Sequence, residues 1–249
     1  MNKVRVSKLK ALFSIFTLGS VLLTLPACSS IVISGCTPNN GGYKSATDPK
    51  ISNMLKATVA LRDKSDADIV GSGVILKYRK GERIVVLTAQ HVSDHLENEM
   101  YISTRDKDYK DKIPAHAVRN SSTLDLSLVV SNEPATSDGP EASLARGEPG
   151  LGETLYIVGS PNGHDYNISR GVLSSVFKDD DTGLKWYRTD TDIYFGNSGG
   201  PVFNSSGYIV AIAVAVETGY KGIVPGGGLL VPIDTIWKFC FGTSFGTIQ

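Results

Sequence analysis

"TDIYFGNSGGPVFN", Thr191 to Asn204, places one serine, Ser198, among three glycines, Gly196, Gly199 and Gly200. Residues without side chains leave the main chain bare around that hydroxyl, so backbone N–H groups can come close to a reacting atom. A turn after a strand is glycine-rich too, so composition alone leaves the stretch with two readings. A serine hydroxyl is a weak nucleophile at neutral pH. Catalysis requires a base within hydrogen-bond reach and a third group that holds the base in one tautomer. The first reading therefore demands a histidine and a carboxylate elsewhere in the chain.

Of the histidines at 91, 95, 116 and 164, His91 has the most informative surroundings. In "VVLTAQHV" (85–92) a strongly apolar run ends in small residues and turns, so the imidazole emerges at the end of a buried strand. His91 and His95 in "HVSDH" also have the spacing of paired metal ligands on one helical face. The zinc-protease pattern needs Glu directly after the first His, however, and Val92 stands there, so no metal site is expected. His95, His116 and His164 read as solvated loop residues. In "STLDLSLVV" (122–130) Asp125 immediately precedes an apolar run, an edge that charges avoid unless they are paired. An aspartate at a strand start is also an ordinary turn residue, so by itself Asp125 stays open between the two roles.

The surrounding chain is rich in short β-type runs. They fall at 56–62, 68–78, 83–89, 99–104, 126–130, 154–160, 169–177, 208–216 and 227–233, with turn residues at fairly regular intervals between them. That is the pattern of an all-β barrel or sandwich. Only "QHVSDHL" (90–96) and "DTIWKFCF" (234–241) read as helical, and both are short.

Taken in order, these segments resemble the chymotrypsin-fold serine proteases, closest to the HtrA-like trypsin-type peptidases of bacteria. "GSGVIL" (71–76) followed by "LTAQHV" is similar to their first barrel with its histidine, and "LDLSLVV" to the strand that opens with the triad aspartate. "VGSPNG" (158–163) with "SRGVLSS" (169–175) resembles the start of the second barrel, and "GGGLLVPID" (226–234) its last strand. His, Asp, Ser is also the chain order of that type, unlike subtilisins or α/β-hydrolases. The resemblance implies two six-stranded antiparallel β-barrels with a short C-terminal helix. It implies a serine endopeptidase acting on proteins or peptides through an acyl-enzyme, with no cofactor.

Carried onto this chain, Ser198 is the nucleophile, His91 the general base and later acid, and Asp125 the residue that orients His91. Gly196 and Ser198 donate their backbone N–H groups to the oxyanion, whereas Gly199 and Gly200 serve close packing behind the nucleophile. Digestive relatives have aspartate before the serine, where it receives a newly cut N-terminus. Asn197 lacks the charge for that, so no such activation switch is expected.

Asp192, six residues before Ser198, has the spacing of the carboxylate that selects Arg or Lys in trypsin-like enzymes. HtrA-like enzymes have a small apolar residue there, with a pocket shaped partly by the next residue, here Ile193. Ala213, Val214, Ala215 and Val216 are expected to form the edge that pairs with an extended substrate backbone. Only Thr235 to Gln249 follow the last matched strand, so neither the peptide-binding domain that HtrA-like proteins usually carry nor caging through it is expected, and a monomer is consistent with that. Two rivals stand beside the endopeptidase: a catalytically silent binding protein on the protease fold, and an esterase. The esterase lacks the strand-turn-helix context of its own serine elbow.

The first 27 residues have another character. Lys3, Arg5, Lys8 and Lys10 precede an uncharged apolar run from Ala11 to Ala27, the n- and h-regions of an export signal. "LPAC" (25–28) resembles the lipobox of bacterial lipoproteins, which makes Cys28 the expected acylated N-terminus; "ISGC" (33–36) is a second match at Cys36. Simple secretion and an uncleaved anchor helix are the alternatives. The expected organisation is a lipoprotein-type signal over 1–27, a flexible tether over 28–50, the protease-type domain over 51–241 and a tail over 242–249. Cleavage removes four cationic residues and no acid, so the formal charge falls from 0 to −4. Such a chain has no strongly basic face, which argues against nucleic acid as a partner. Attachment to the membrane of the cell envelope would come from lipid. Cys36 and Cys240 remain as a possible pair in an oxidising compartment.

Overall fold

The computed structural model describes residues 48–63, 69–96, 100–105, 111–160, 166–191, 193–219 and 222–243. The chain enters through helix α1 (Pro49–Ala57). Asp48 caps it by accepting from the Lys50 N–H at 2.8 Å, and proline stands in the first turn, where its missing N–H costs nothing. The helix buries Met54, Leu55 and Ala57. It occupies the ground read as the end of a tether and the start of a strand. "KATVALR" thus divides at Thr58, whose Oγ1 donates back to the Met54 carbonyl at 2.8 Å.

The first barrel consists of β1 (Thr58–Asp63), β2 (Ile69–Lys77), β3 (Arg83–Thr88), β4 (Met100–Thr104), β5 (Ile113–Ser121) and β6 (Leu126–Pro134), with helix α2 (Gln90–Asp94) after β3. It closes in the order β1-β2-β3-β6-β5-β4. The second consists of β7 (Thr154–Gly159), β8 (Asn167–Lys178), β9 (Lys185–Thr189), β10 (Pro201–Asn204), β11 (Ile209–Gly219) and β12 (Gly222–Pro232). It closes as β10-β11-β12-β9-β8-β7 and is followed by α3 (Ile233–Phe241). All pairings within the barrels are antiparallel. This is the expected architecture of two six-stranded barrels and a C-terminal helix. Closure removes the exposed edges that an open antiparallel sheet would leave.

Alternate residues fill the barrels. Val59, Leu61, Val86, Ile102 and Leu126 are inaccessible in the first barrel, as are Leu155, Tyr187, Phe203 and Ile209 in the second. The connecting segment straps the barrels together by its backbone. Gly139 and Ala142 donate to Tyr78 and Ile75 of β2 and the residue after it, and Ala145 and Ser143 then exchange bonds with Ile209 of β11. Glu141 ties the strap down by accepting from the Tyr78 N–H at 2.8 Å and the Arg79 Nε at 3.2 Å. Burial pushes its carboxyl up, but these donors outweigh burial and hold it below the ordinary range. At the other end, Trp237 of α3 donates to the Ala145 carbonyl at 2.8 Å. Arg119 of β5 caps the α3 carbonyls of Phe239 and Cys240 at 2.7 and 3.1 Å. A cation at a helix C-terminus satisfies orphan carbonyls and the helix dipole together.

Candidate active site

His91 lies in the first turn of α2, directly after the buried end of β3. Asp125 grips it at two points. Oδ1 accepts the His91 backbone N–H at 3.0 Å, and Oδ2 lies 2.9 Å from Nδ1. An ionised carboxylate has only acceptors, so Nδ1 carries the ring proton and Nε2 is left as the basic nitrogen. Asp125 itself has φ +53°, the one positive φ of a non-glycine among the described residues. Aspartate tolerates that left-handed conformation better than most residues, and such strain collects at functional sites. It ends the turn before β6 and throws the carboxylate back towards α2.

Ser198 lies in the loop before β10, partly accessible between buried Asn197 and buried Gly199. Gly196 and Gly199 adopt φ +94° and +79°, which L side chains rarely take. A Cβ on Gly199 would lie 2.1 Å from Thr88 Oγ1, 2.3 Å from the Ser72 carbonyl oxygen and 2.9 Å from the Ala89 nitrogen. One on Gly200 would lie 2.4 Å from the Val158 carbonyl oxygen. These two glycines sit in close packing: Gly199 lets the serine loop press onto the end of β3, three residues before His91, and Gly200 lets it press onto β7. A second meeting point is Gly71 of β2, where a Cβ would lie 2.6 Å from Val92, the neighbour of His91, and 3.0 Å from the Ser198 carbonyl oxygen. The loops carrying His91, Asp125 and Ser198 therefore converge where the two barrels abut.

Backbone hydrogen bonds hold the loop in place. Asn197 donates to Tyr194 at 3.0 Å, Gly200 to Asn197 at 2.9 Å, and Gly199 to Ala213 of β11 at 2.7 Å. Ala213 also donates to the Gly200 carbonyl at 2.9 Å, so both its main-chain groups hold the serine loop. It is unavailable to pair with a substrate, which corrects the expectation for this residue. Val214 is buried; Ala215 and Val216 continue β11 beyond a register shift opposite β12. Ile193 is buried, and its Cδ1 lies 3.0 Å from the position of a Cβ on Gly228. Asp192 falls outside the described residues, as do Cys28 and Cys36. Burial pushes the Cys240 thiol up to about 11, far from a reactive thiolate.

His95 is exposed at the C-terminal end of α2, and among the described residues no three His, Cys, Asp or Glu side chains are grouped to hold a metal ion. Tyr194 and Phe195, immediately before Gly196, expose large aromatic surface at the rim of the loop.

The family "Trypsin-like peptidase domain" matches residues 71–212, more than half of the chain and every loop just described. The chain belongs to that family. Curated relatives of this trypsin-like peptidase domain include the "Serine protease HtrA-like" of Staphylococcus aureus, 29% identical over 169 residues in one strain and 28% in another. The match covers 62% of this chain and 21% of each relative, so the chain spans about a fifth of the length of those proteins. The MamO protease domain from Magnetospirillum magneticum superposes with a TM-score of 0.63 at 21% identity, over 75% of this chain and 96% of that one. A serine endoprotease from Yersinia pestis gives 0.61 at 21% identity, over 76% and 63%. Both carry the same chymotrypsin-like fold of two barrels.

Ser72, in the middle of "GSG" on β2, is the residue that sequence reasoning passed over. Glycines inside a strand mark a close approach of another backbone, and here the approaching backbone is the serine loop.

Proposed function

We propose that this chain is an exported serine endopeptidase that hydrolyses peptide bonds through an acyl-enzyme. The observation that carries the reading is the two-point grip of Asp125 on His91, on a turn packed against the Ser198 loop. The Ser198 hydroxyl attacks the scissile carbonyl carbon as His91 Nε2 takes its proton. The oxyanion that forms is held by the N–H groups of Gly196 and Ser198. Nε2 then gives the proton to the leaving amine, the C–N bond breaks, and the acyl group remains on Ser198 Oγ. Water repeats the sequence and releases the acid. Asp125 keeps its charge throughout, fixing the tautomer and stabilising the imidazolium. The names of the curated relatives, serine proteases of HtrA-like type, support this reading.

An extended substrate would pair along Val214 to Val216 by β-augmentation, beginning after Ala213 because Ala213 is committed to the loop. Its P1 side chain would meet the wall made by Ile193 and Gly228, which favours a small apolar residue. If Asp192 lies at the base of that pocket, Arg or Lys would be selected instead. Cleavage of peptides with P1 Val or Ala, unaffected by Asp192→Ala, fits the first arrangement; cleavage after Arg that is lost in the variant fits the second. The N-terminus would be processed before Cys28 and acylated there, anchoring the protein in the cell envelope. Mass spectrometry of the N-terminal peptide from the membrane fraction reads this directly. An unmodified N-terminus at another residue would sink the anchor while leaving the enzyme.

The catalytic reading is tested with an active-site reagent. A fluorophosphonate should add once to the folded protein and not to Ser198→Ala, and failure of the wild type to react would favour a silent binding protein.

A further inference from the structure

Ser72 is completely buried, and its hydroxyl belongs to one barrel while its partners belong to the other. The Oγ donates to the Gly196 carbonyl at 2.6 Å and accepts the Ser160 N–H, just past β7, at 3.0 Å. Its backbone N–H donates to the Ser198 carbonyl at 2.8 Å, and its own carbonyl accepts from Thr88 Oγ1 at 2.7 Å. One residue of β2 therefore holds the carbonyls of both Gly196 and Ser198. These are the residues whose N–H groups form the oxyanion hole under the catalytic reading above, on which this inference rests.

Gly196 is the weak point of that hole. With φ +94° and no side chain, its flanking peptides have more rotational freedom than those of any other residue type. A hole works only if its donors are aimed before the charge develops, since reorienting them during the reaction gives back the electrostatic gain. Rotation of the 196–197 peptide would pull the Gly196 carbonyl off Ser72 and leave two buried polar groups unpaired. We infer that Ser72 is a positioning residue for catalysis: its hydroxyl, itself held by Ser160, fixes the 196–197 peptide that links the two oxyanion donors, and so keeps the Gly196 Cα, with the N–H it carries on the 195–196 peptide, in place beside the Ser198 N–H.

The test compares wild type with Ser72→Ala in the purified full-length protein, well below the melting temperature of each. The readouts are the rate of fluorophosphonate labelling, and kcat and KM on a peptide p-nitroanilide that the wild type cleaves. Ser72→Ala should lose about ten- to a hundredfold in both kcat and labelling rate, approaching the cost of removing one oxyanion donor. KM should stay within about twofold, since ground-state binding does not use the hole. If Ser72→Ala does not fold, Ser72→Cys, close in size but a weak donor, should show the same loss in kcat at smaller magnitude. A folded variant that labels and turns over as fast as wild type, or that loses activity only through KM, would overturn the inference and leave the catalytic reading intact. A folded wild type that takes no fluorophosphonate would remove both.

Discussion

The two barrels hold the residues of the candidate site by opposite means. In the first, a side chain does the holding: Asp125 binds the His91 ring and backbone with its two oxygens, at 2.9 and 3.0 Å. In the second, the absence of side chains does it. Gly199 and Gly200 let the Ser198 loop lie against Thr88, Ser72 and Val158, and backbone bonds to Ala213 and Ser72 lock it there. The difference predicts two kinds of sensitivity. Changes at the first barrel's site alter chemistry without moving the chain, whereas an added methyl group in the second barrel's loop moves the chain itself.

Under the proposed mechanism the largest effect belongs to Ser198. Ser198→Ala should lower kcat about a millionfold, the scale on which nucleophiles of this kind are lost, with an unchanged melting temperature. Asp125→Asn probes the chemical half of the comparison. Asparagine tolerates the same left-handed backbone, so the fold should persist. Its amide can present an N–H to Nδ1, which permits the wrong tautomer and should lower kcat about ten-thousandfold. A melting temperature that falls with it would show that this grip is structural as well. Gly199→Ala probes the steric half. With φ +79° and a Cβ 2.1 Å from Thr88 Oγ1, it should destabilise by about 1–3 kcal/mol or more and lose labelling at the same time. A variant that keeps full stability would break the contrast drawn here.

The smallest effect tests whether the contrast is a property of the site or of the whole second barrel. Between β8 and β9, Asp179 accepts from the Thr182 Oγ1 and N–H, both at 2.7 Å, so this distant turn does use a side chain. The Thr182 hydroxyl and N–H together hold its carboxyl below the ordinary range. A depressed folded-state value stabilises the protein above the unfolded value of about 3.9 and ceases to do so as pH falls through the folded value. Asp179→Asn should therefore melt slightly below wild type at pH 7, and the gap should close under acid. Labelling of Ser198 should not change.

The candidate site is the part of the molecule most readily proposed from the sequence, because the chemistry proposed for it constrains residue type. A nucleophile needs a base and an orienting group, and His91 and Asp125 both stand at the boundaries of apolar runs that became β3 and β6. Helices α2 and α3 were equally visible. The strands that escaped reading, β5, β9 and β10, are polar or short: β5 carries Pro114, His116, Arg119 and Asn120, and β10 has four residues directly behind the glycine loop. Their strand character comes from pairing with neighbours already in place, which local composition does not record. Helix α1 had its cap in Asp48-Pro49, but turn-forming residues on its N-terminal side masked it. Ser72 shows a different limit. Its hydroxyl is bonded to Gly196, 124 residues away, and no local pattern carries a contact of that separation. The same holds for Ala213, whose backbone is committed to Gly199 and Gly200 rather than to a substrate.

The proposed function requires Ser198 to be an activated nucleophile. The most direct measurement is intact-mass analysis of the purified protein and of Ser198→Ala after exposure to a fluorophosphonate. One adduct on the wild type and none on the variant is the expected result. A folded wild type that remains unmodified, or a variant that is labelled equally, would contradict it.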